Sequence, residues 1–324
     1  MHNSYIVDSE QYLSEEGLAR GSKLLQQGNL LLLVRGSMLW KHIPICYNKL
    51  DVAFNQDVKG IITNKFSRPL FLLYWFESHE SRMKYMVTGT GIGAGKLDTG
   101  NLLSMNVSLP SLKEQERIIS LLQLLDERIA TQNKIIEKLE SLIRGIYKTL
   151  LGESDQYRYL DELCEIKKGV QVNKEKLSEK GLYYVMNGGI TPSGYYDLYN
   201  TEANTISISE GGNSCGYVQY NYTPFWSGGH CYTLENISNV VDNRYLFHYL
   251  KANELQIMSL RIGSGLPNIQ KKDLSAFRIP LPALNKQINI AKALDALLYK
   301  ITVDKNIYST YKQQKEYLLQ QMFI

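Results

Sequence analysis

The sequence predicts an α+β protein in which two α/β domains are separated by two long helices that form an antiparallel coiled coil. Three observations support this prediction: the second half of the chain repeats the first, each repeat contains a glycine- and proline-rich run, and a helix with heptad spacing follows each run. The predicted parts are a first domain (1–110), a central helix (111–151), a second domain (157–282) and a C-terminal helix (283–324).

The internal repeat becomes visible when Pro110 is aligned with Pro282, an offset of 172 residues (282 − 110). The match needs no gap across glycine, leucine, proline and glutamine positions, and it continues into the following helix. A duplicated unit of about 170 residues is far longer than a solenoid repeat, so it predicts two domains of one architecture. The matched pairs include Gly91 and Gly263, Gly93 and Gly265, Leu102 and Leu274, Gln115 and Gln287, and Ile118 and Ile290.

The repeat continues more weakly upstream. The stretch "SRPLFLLYW" resembles "NRYLFHYL", with Arg68 over Arg244, and "LLLLVRG" before the first domain's loop parallels "TISISEGG" in the second. The segments that follow, 37–57 and 213–235, share little beyond a strand-like pattern. The copies therefore differ where two domains with different ligands would be expected to differ.

After each repeated proline, the apolar residues are spaced alternately by four and three, which is the heptad pattern of a coiled coil. Two such helices in one chain are expected to pair antiparallel, with the domains at opposite ends and related by a pseudo-twofold axis; the alternative is that each helix packs on its own domain. Each seam carries a polar residue at the same repeat position. The residues expected to form the coiled coil and support partner docking are Ile118, Leu122, Leu125, Ile129, Gln132, Ile136, Leu139, Ile143, Leu294, Leu297, Ile301, Asp304, Tyr308 and Tyr311.

The composition predicts a chain without a membrane segment. Hydrophobic residues make up 44% and charged residues 21%, and no apolar run approaches the ~20 residues of a membrane span. The first residues lack the apolar core of a signal peptide, so the expected location is the cytoplasm. The net charge of +4 permits a nucleic-acid partner, and the 23 tyrosines suit polar interfaces.

The sequence predicts neither a metal site nor an active site. The four cysteines form no CxxC pair and are expected to be buried thiols. The chain has no Pro-Pro dipeptide, which the Asp/Asn-Pro-Pro-aromatic motif of amino-methylating DNA methyltransferases requires. The run "GTGIGAG" (89–95) lacks the following Lys-Ser/Thr of a phosphate-binding loop, so we interpret it as a turn; amide contacts to a DNA phosphate are the alternative. We expect no enzyme activity and no cofactor on this chain.

The order of these motifs, repeated twice, resembles the DNA-specificity subunit of type I restriction-modification systems. The resemblance is carried by the "GSG…IPLP…Q…I" run (263–290) and its partner "GIG…VSLP…EQERI" (91–118). The stretch "LDELCEIKKGVQ" (160–171) is similar to the usual start of a target-recognition domain, and "FNQD" and "SEGGNSCGYV" are similar to internal motifs of such domains. The resemblance covers nearly the whole chain.

This resemblance implies two α/β target-recognition domains that read a bipartite sequence in double-stranded DNA, one half per domain. It implies a non-catalytic targeting role in a methyltransferase/endonuclease complex, with two methyltransferase subunits at the coiled coil and restriction/translocase subunits joining them. S-adenosylmethionine is then expected on the methyltransferase partner. A helix of 37 residues (151 − 115 + 1) would be ~55 Å long, which makes it a plausible ruler for half-sites ~34 Å apart.

Candidate DNA-binding residues are basic and polar side chains on or beside glycine-rich connections. The lysines of "EIKKGVQVNKEKL" (165–177) are candidates for phosphate contacts, although an ordinary solvated surface is equally compatible. Asn, Gln, Ser and His side chains can read base edges, although each is also a common turn residue. The candidates are Arg35, Lys96, Lys167, Lys168, Gln171, Asn187, Asn213, Ser214, Gln219, His230, Arg261, Ser264 and Lys271.

Two other functions remain open at this point, namely a coiled-coil scaffold with Tyr-rich carbohydrate- or protein-binding domains, and a DNA methyltransferase acting alone. One feature departs from the family pattern. The second domain has 54 residues from Tyr157 to Gly211 (211 − 157), whereas the first has 35 residues before Gly36. We therefore expect the first domain to be shortened at its start. The chain is then either a truncated or rearranged product, or a chain whose first domain is completed by a segment of a partner.

Overall fold

The computed structural model describes residues 5–9, 11–91, 93–149, 154–263, 265 and 267–323. These residues divide into two compact units. Unit 1 comprises Met1–Lys134 together with Lys305–Ile324, and unit 2 comprises Ile135–Asp304. Both long helices contribute to both units, so each unit contains one α/β domain and one end of the helix pair.

Unit 1 is built on short strands because its apolar runs are only three or four residues long and are separated by turns. Its strands are β1 (Tyr5–Ile6), β2 (Lys23–Leu25), β3 (Leu30–Leu33), β4 (Arg35–Gly36), β5 (Ile45–Asn48), β6 (Val52–Phe54), β7 (Val58–Ile61), β8 (Val87–Gly89) and β9 (Gly95–Leu97). Its helices are α1 (Glu15–Ala19), α2 (Pro69–Ser78), α3 (Glu80–Lys84), α4 (Thr99–Leu103) and the first part of α5 (Leu112–Thr149).

The central sheet of unit 1 has the order β1-β5-β3-β7, in which β3 pairs antiparallel with β5 and β7. Two further sheets, β2-β6 and β4-β9-β8, flank it. Strand β3 reads "LLLL" and is nearly completely buried, as expected for a central strand covered on both faces. Its core includes the apolar helix α2 and side chains of both long helices.

Unit 2 has strands of similar length and a second set of short helices. Its strands are β10 (Tyr157–Tyr159), β11 (Glu165–Lys168), β12 (Tyr183–Met186), β13 (Tyr195–Tyr196), β14 (Thr205–Ser209), β15 (Val218–Asn221), β16 (Trp226–Ser227), β17 (Cys231–Glu235) and β18 (Arg278–Pro280). Its helices are α6 (Leu160–Leu163), α7 (Asn243–Ala252), α8 (Glu254–Ser259), α9 (Lys271–Ser275) and the first part of α10 (Leu284–Met322).

The central sheet of unit 2 has the order β11-β17-β14-β15, and its strands β15, β14 and β17 repeat the register of β5, β3 and β7 in unit 1. Leu30 lies opposite Ile61 in unit 1, and Ile206 lies opposite Leu234 in unit 2. These pairs are related by offsets of 176 (206 − 30) and 173 (234 − 61), and β5 and β15 agree with the same offsets. Since strand register determines which side chains face the core, the duplication predicted from the sequence is present in the backbone pairing.

One detail of the sequence alignment needs correction. Helices α2 and α7 begin 174 residues apart (243 − 69), so Arg68 is the residue before α2 and corresponds to Asp242, not to Arg244. The sequence match was misplaced by two residues because both helices contain an apolar "LF" pair at a similar distance from an arginine. The hydrogen bonds of the repeated glutamines support the structural alignment.

The repeated glutamine of unit 1, Gln115, fastens α5 to the start of α2. Its Oε1 accepts a hydrogen bond from the main-chain N–H of Arg68 (2.9 Å), and its Nε2 donates to the carbonyl oxygens of Phe66 (2.9 Å) and Pro110 (3.0 Å). The side chain is fully buried. One amide thus satisfies an N–H group at the helix start, which has no intrahelical partner, and two loop carbonyls.

Gln287 makes the same three bonds in unit 2. Its Oε1 accepts from the N–H of Asp242 (2.9 Å), and its Nε2 donates to the carbonyl oxygens of Val240 (3.1 Å) and Pro282 (2.8 Å). The proline–glutamine spacing that punctuates the sequence twice is therefore a hydrogen-bonded clamp between each domain and its long helix.

We expect Gln287→Leu to lower the free energy of unfolding by about 2–4 kcal/mol, because the N–H of Asp242 and two carbonyls would lose their partner at a partly buried site. Chemical denaturation monitored by circular dichroism measures this loss. Gln256→Leu is the matched control, since Gln256 is exposed on α8 and is expected to change stability by less than about 0.5 kcal/mol. Equal losses in the two variants would contradict the clamp.

The long helices pack together in each unit. In unit 1, Ile119 and Leu122 of α5 share a core with Leu319 and Phe323 of α10, and Lys315 of α10 bonds to Asp126 of α5 (2.6 Å). In unit 2, the end of α5 packs against the beginning of α10, with Ile143, Leu294 and Ile301 in one core. This order is that of an antiparallel pair. All fourteen predicted seam residues are buried or half-buried.

A buried polar cluster joins α7 to α10 in unit 2. Asp295 accepts hydrogen bonds from Nε2 of His248 (2.8 Å) and from Nε of Arg244 (3.0 Å), and Nη2 of Arg244 also contacts it. The Arg244 guanidinium lies 3.9 Å from the centre of the Tyr220 ring. Burial lowers the pKa of His248 below its ordinary value, and the nearby Arg244 charge lowers it further, against the opposing effect of Asp295.

His248 is expected to make stability fall as the solution is acidified. Because its pKa is lower in the folded state, the unfolded chain binds the proton more readily once the pH drops through the ordinary histidine value of about 6.5. The contribution is therefore fully present above that pH and declines below it. Unfolding free energies measured between pH 7.5 and 5.5 should depend less on pH in His248→Gln than in wild type. His42→Gln in unit 1 is the control, and an unchanged slope in His248→Gln would refute this assignment.

Candidate nucleic-acid interface

Unit 2 contains a polar cleft of about 570 Å³ beside the ends of its central strands. Three glycine- or proline-containing loops line it, together with the last residue of β11 and the residue before β17. The cleft brings together five of the residues predicted from the sequence, namely Lys168, Asn187, Asn213, Ser214 and His230. These side chains are far apart in the chain. They lie close together because β14 ends and β17 begins at the same edge of the sheet.

Glu210, which sequence reasoning missed, forms the floor of the cleft. It follows β14, whose alternate side chains Ile206 and Ile208 face the core, and its own side chain is only 10% exposed. Its carboxylate contacts Lys168 Nζ (2.6 Å) and His230 Nδ1 (3.6 Å), and accepts a bond from the Tyr232 hydroxyl (3.2 Å). A carboxylate removed from water needs such donors and opposite charge.

These contacts fix the donors of the cleft. Burial, with the charge of Glu210 as the next cause, raises the pKa of Tyr232 to about 12, so this hydroxyl keeps its proton and serves as a donor. Lys168 is half exposed and reaches the solvent from the wall of the cleft. The carboxylate therefore holds one cationic side chain in place while its ammonium group remains accessible.

Glycine is required where two segments of the cleft meet. A Cβ at Gly188 would lie 3.0 Å from the carbonyl oxygen of His230, and Gly188 has a φ of +82°, a conformation that other residues rarely adopt. A Cβ at Gly228 would lie 2.6 Å from Oδ1 of Asn187. That same Oδ1 accepts a hydrogen bond from the N–H of His230 (3.2 Å), so Asn187 positions the strand as well as lining the cleft.

Other predicted residues of unit 2 do not line this cleft. Lys167 is on the opposite face of β11 from Lys168 and forms an ion pair with Glu235 (3.2 Å). Gln171 packs over Gly229: a Cβ added at Gly229 would lie 2.8 Å from Oε1 of Gln171. Gln219 donates a hydrogen bond to Oδ1 of Asn221 on β15 (3.3 Å).

The predicted residues near the repeated loop of unit 2 are also separate from the cleft lining. Arg261 and Lys271 are exposed, and Ser264 lies outside the described residues. Gly263 has a φ of +95°, and its repeat partner Gly91 has a φ of +83°, which fits the interpretation of both loops as turns.

Unit 1 has the same backbone frame at the corresponding place. The N–H of Val34 donates to the carbonyl of Asp57 (2.8 Å), as the N–H of Glu210 does to that of His230 (2.9 Å). The N–H of Leu97 donates to the carbonyl of Val34 (2.9 Å), and in unit 2 Ile269 makes the corresponding bond to Glu210 (2.8 Å). The corresponding residues are Val34 and Glu210 (offset 176), Asp57 and His230 (offset 173), and Leu97 and Ile269 (offset 172).

The side chains on this frame differ between the units. The predicted residues Arg35 and Lys96 lie directly opposite each other in the β4–β9 pair, where unit 2 has the bridge between Gly211 and Asn268. Both are exposed, and Arg35 Nε is 3.9 Å from a carboxylate oxygen of Asp57, the counterpart of His230. Unit 1 thus presents arginine and lysine at the position where unit 2 has its polar cleft.

The described residues include no group of three or more His, Cys, Asp or Glu side chains arranged to hold a metal ion. All four cysteines are buried, as predicted, and no disulfide joins them. Within the same described ranges, none of the helices is both long and apolar enough to cross a bilayer.

The fold defines a duplicated α+β protein, in which matching frames carry different polar side chains and a helix pair belongs to both units. Comparison with known families identifies it further. The type I restriction modification DNA specificity domain matches residues 5–141 and 154–312, so the chain belongs to this family. The fold class predicted from the sequence is thereby confirmed.

Individual relatives agree with this assignment. The chain is 38% identical over 144 residues to a Mycoplasma pneumoniae protein provisionally named a type I specificity subunit, and 26% identical over 164 residues to the Escherichia coli EcoR124I/EcoR124II specificity subunit. The alignments cover 44% and 50% of this chain but only 38% of either relative. The crystal structure of a type I system S subunit from M. genitalium has the same fold, with a TM-score of 0.73, 20% identity, and coverage of 93% of this chain and 84% of that one.

Proposed function

We propose that this protein is the non-catalytic DNA-specificity subunit of a type I restriction-modification complex. Each unit reads one half of a bipartite target in double-stranded DNA. Two methyltransferase subunits, which carry S-adenosylmethionine, dock on the helix pair, and restriction/translocase subunits join them in the cytoplasm.

One observation carries the proposal: the two units have the same hydrogen-bonded frame but different side chains on it. Arg35 and Lys96 in unit 1 suit guanine edges or phosphates, whereas Asn213 and His230 in unit 2 present donors and acceptors of another pattern. A frame that stays constant while its exposed polar residues change is what two readers of unlike sequences require.

The outer faces of the long helices support the docking part of the proposal. The seam residues are directed into the helix pair, which leaves other positions for partners. Apolar side chains at least 37% exposed recur along the outside of α5, namely Leu121, Leu124, Ile135 and Leu142. Exposed apolar residues at helical spacing are typical of a surface that a partner covers.

The proposal is tested by a gel-shift titration of the chain with its methyltransferase partner on a pool of random duplexes. We expect sequence-specific complexes whose affinity falls steeply with salt, since phosphate contacts release counterions. A coiled-coil scaffold for carbohydrate or protein would retain no duplex above background. Retention of all duplexes with one affinity would equally contradict the proposal.

A further inference from the structure

Unit 1 contains an apolar groove of about 620 Å³ beside the edge strand β7. Helices α2 and α4 form its walls with Phe76 and Leu102, and Ile61 lies at its base. Two residues that line it, Ile62 and Leu103, are 75% and 86% exposed. An apolar groove with exposed aliphatic side chains next to a strand edge is a strong candidate for a covered surface.

Unit 2 shows what occupies the equivalent place. There, β17 corresponds to β7, α7 to α2 and α9 to α4, and the segment Tyr157–Lys168 fills the space. Leu160 and Leu163 of this segment are 0% and 1% exposed, and they share a core with Leu274 and Ile279. Under the offset of 172 these last two residues correspond to Leu102 and Val107, which line the groove of unit 1.

The occupying segment of unit 2 is also held by main-chain hydrogen bonds. β10 pairs antiparallel with β18, the N–H of Leu160 donates to the carbonyl of Phe277 (3.0 Å), and β11 pairs with the outer edge of β17. In the described part of unit 1, β7 pairs with β3 alone, and residues 106–108, which correspond to β18, are not in a strand. The groove of unit 1 therefore lies between β7 and residues 106–108. The corresponding segments of unit 2, β17 and β18, pair with β11 and β10.

We propose that this groove is the docking site for a peptide segment of a partner chain with the chemistry of Tyr157–Lys168. Such a segment has a strand, a Leu-x-x-Leu helical turn and a second strand. Its leucines would enter the groove, and its second strand would extend the sheet at β7, which is recognition by β-strand addition. A strand edge requires hydrogen-bond donors and acceptors in its ligand, so a peptide fits better than a small apolar molecule.

A second copy of this chain does not suit the groove as its occupant. In a copy, the matching leucines are already buried in its own unit 2 core, and releasing them would expose that core. The groove lining does not include Arg35 or Lys96, the residues proposed to contact DNA, so the proposal does not depend on the proposed function.

The test is fluorescence anisotropy of the full-length chain with a labelled synthetic peptide, residues 156–169 of this sequence carrying Cys164→Ser. We expect saturable one-to-one binding, and at least tenfold weaker binding of the same peptide with Leu160→Asp and Leu163→Asp. On the protein, Ile62→Asp combined with Leu103→Asp should also weaken binding at least tenfold. Both sites are exposed, so this variant is expected to fold, and circular dichroism checks that it does.

Leu255→Asp, at an 81% exposed leucine of α8 in unit 2, is the matched control and should bind the peptide as wild type does. Absence of saturable binding would overturn the proposal, as would binding that Ile62→Asp and Leu103→Asp leave unchanged. Sedimentation equilibrium provides an independent check. Self-association that these two substitutions abolish would identify a second copy as the occupant and would also overturn the proposal.

Discussion

Replacing Lys168 by alanine is expected to weaken binding to the target duplex about 10- to 100-fold. Lys168 is the half-exposed cation of the unit 2 cleft, and its ammonium lies 2.6 Å from Glu210. A hydrogen bond to a charged group contributes about 1.5–3 kcal/mol, and about 1.4 kcal/mol is a factor of ten in affinity. The substitution also removes the positive charge that neutralises the Glu210 carboxylate, so this carboxylate would repel the DNA phosphates.

Lys167→Ala provides a matched control for this experiment. Lys167 is the neighbouring residue of β11, is similarly exposed and is also paired with a glutamate, but its side chain points to the other face of the strand. Its loss should change affinity by no more than about threefold, as for an exposed ion pair. Equal effects of the two substitutions, measured by gel shift at one fixed salt concentration, would show that the cleft is not the DNA-facing surface.

Lengthening both long helices by one heptad is expected to change the spacing of the DNA half-sites. Seven residues inserted after Lys134 in α5 and after Asp304 in α10 keep the seam in register and add ~10 Å to the helices at ~1.5 Å per residue. With ~3.4 Å per base pair, the preferred spacer should grow by about one to three base pairs. The base sequences of the two half-sites should stay the same.

The spacer is measured by mapping methylation with the partner methyltransferase present. An insertion of four residues in α5 alone is the control. It shifts the seam of α5 out of register with that of α10, so it should reduce both the free energy of unfolding and the methylation. If the double insertion folds, methylates DNA and retains the original spacer, the helix pair does not set the half-site distance.

The sequence predicted the repeat, the helix pair and its seam, because these depend on local spacing that the chain itself displays. The repeated glutamines were also found, yet their role was not, since the three hydrogen-bond partners of Gln115 lie on two separate loops. The seam prediction rests on a physical rule that needs no knowledge of the surroundings. Heptad spacing places each apolar side chain on one face whatever surrounds the helix.

The site was only partly predictable. Glu210 stood within a quoted motif, but its importance depends on the register of β14, which brings it beside Lys168 and His230. Likewise, the sequence predicts Arg35 and Lys96 as candidates of the first domain, but only the β4–β9 pairing shows that they lie opposite each other. Long-range strand pairing cannot be obtained from the periodicity of a single segment.

Duplexes selected from a random library by the chain with its methyltransferase partner, and then sequenced, show whether the two units read DNA independently. The two-reader account predicts a bipartite motif with a fixed spacer. Arg35→Ala with Lys96→Ala should relax one half of the motif only, and Asn213→Ala with His230→Ala should relax only the other half. A single continuous motif, or simultaneous loss of both halves in either double variant, would contradict the claim that the units read DNA independently.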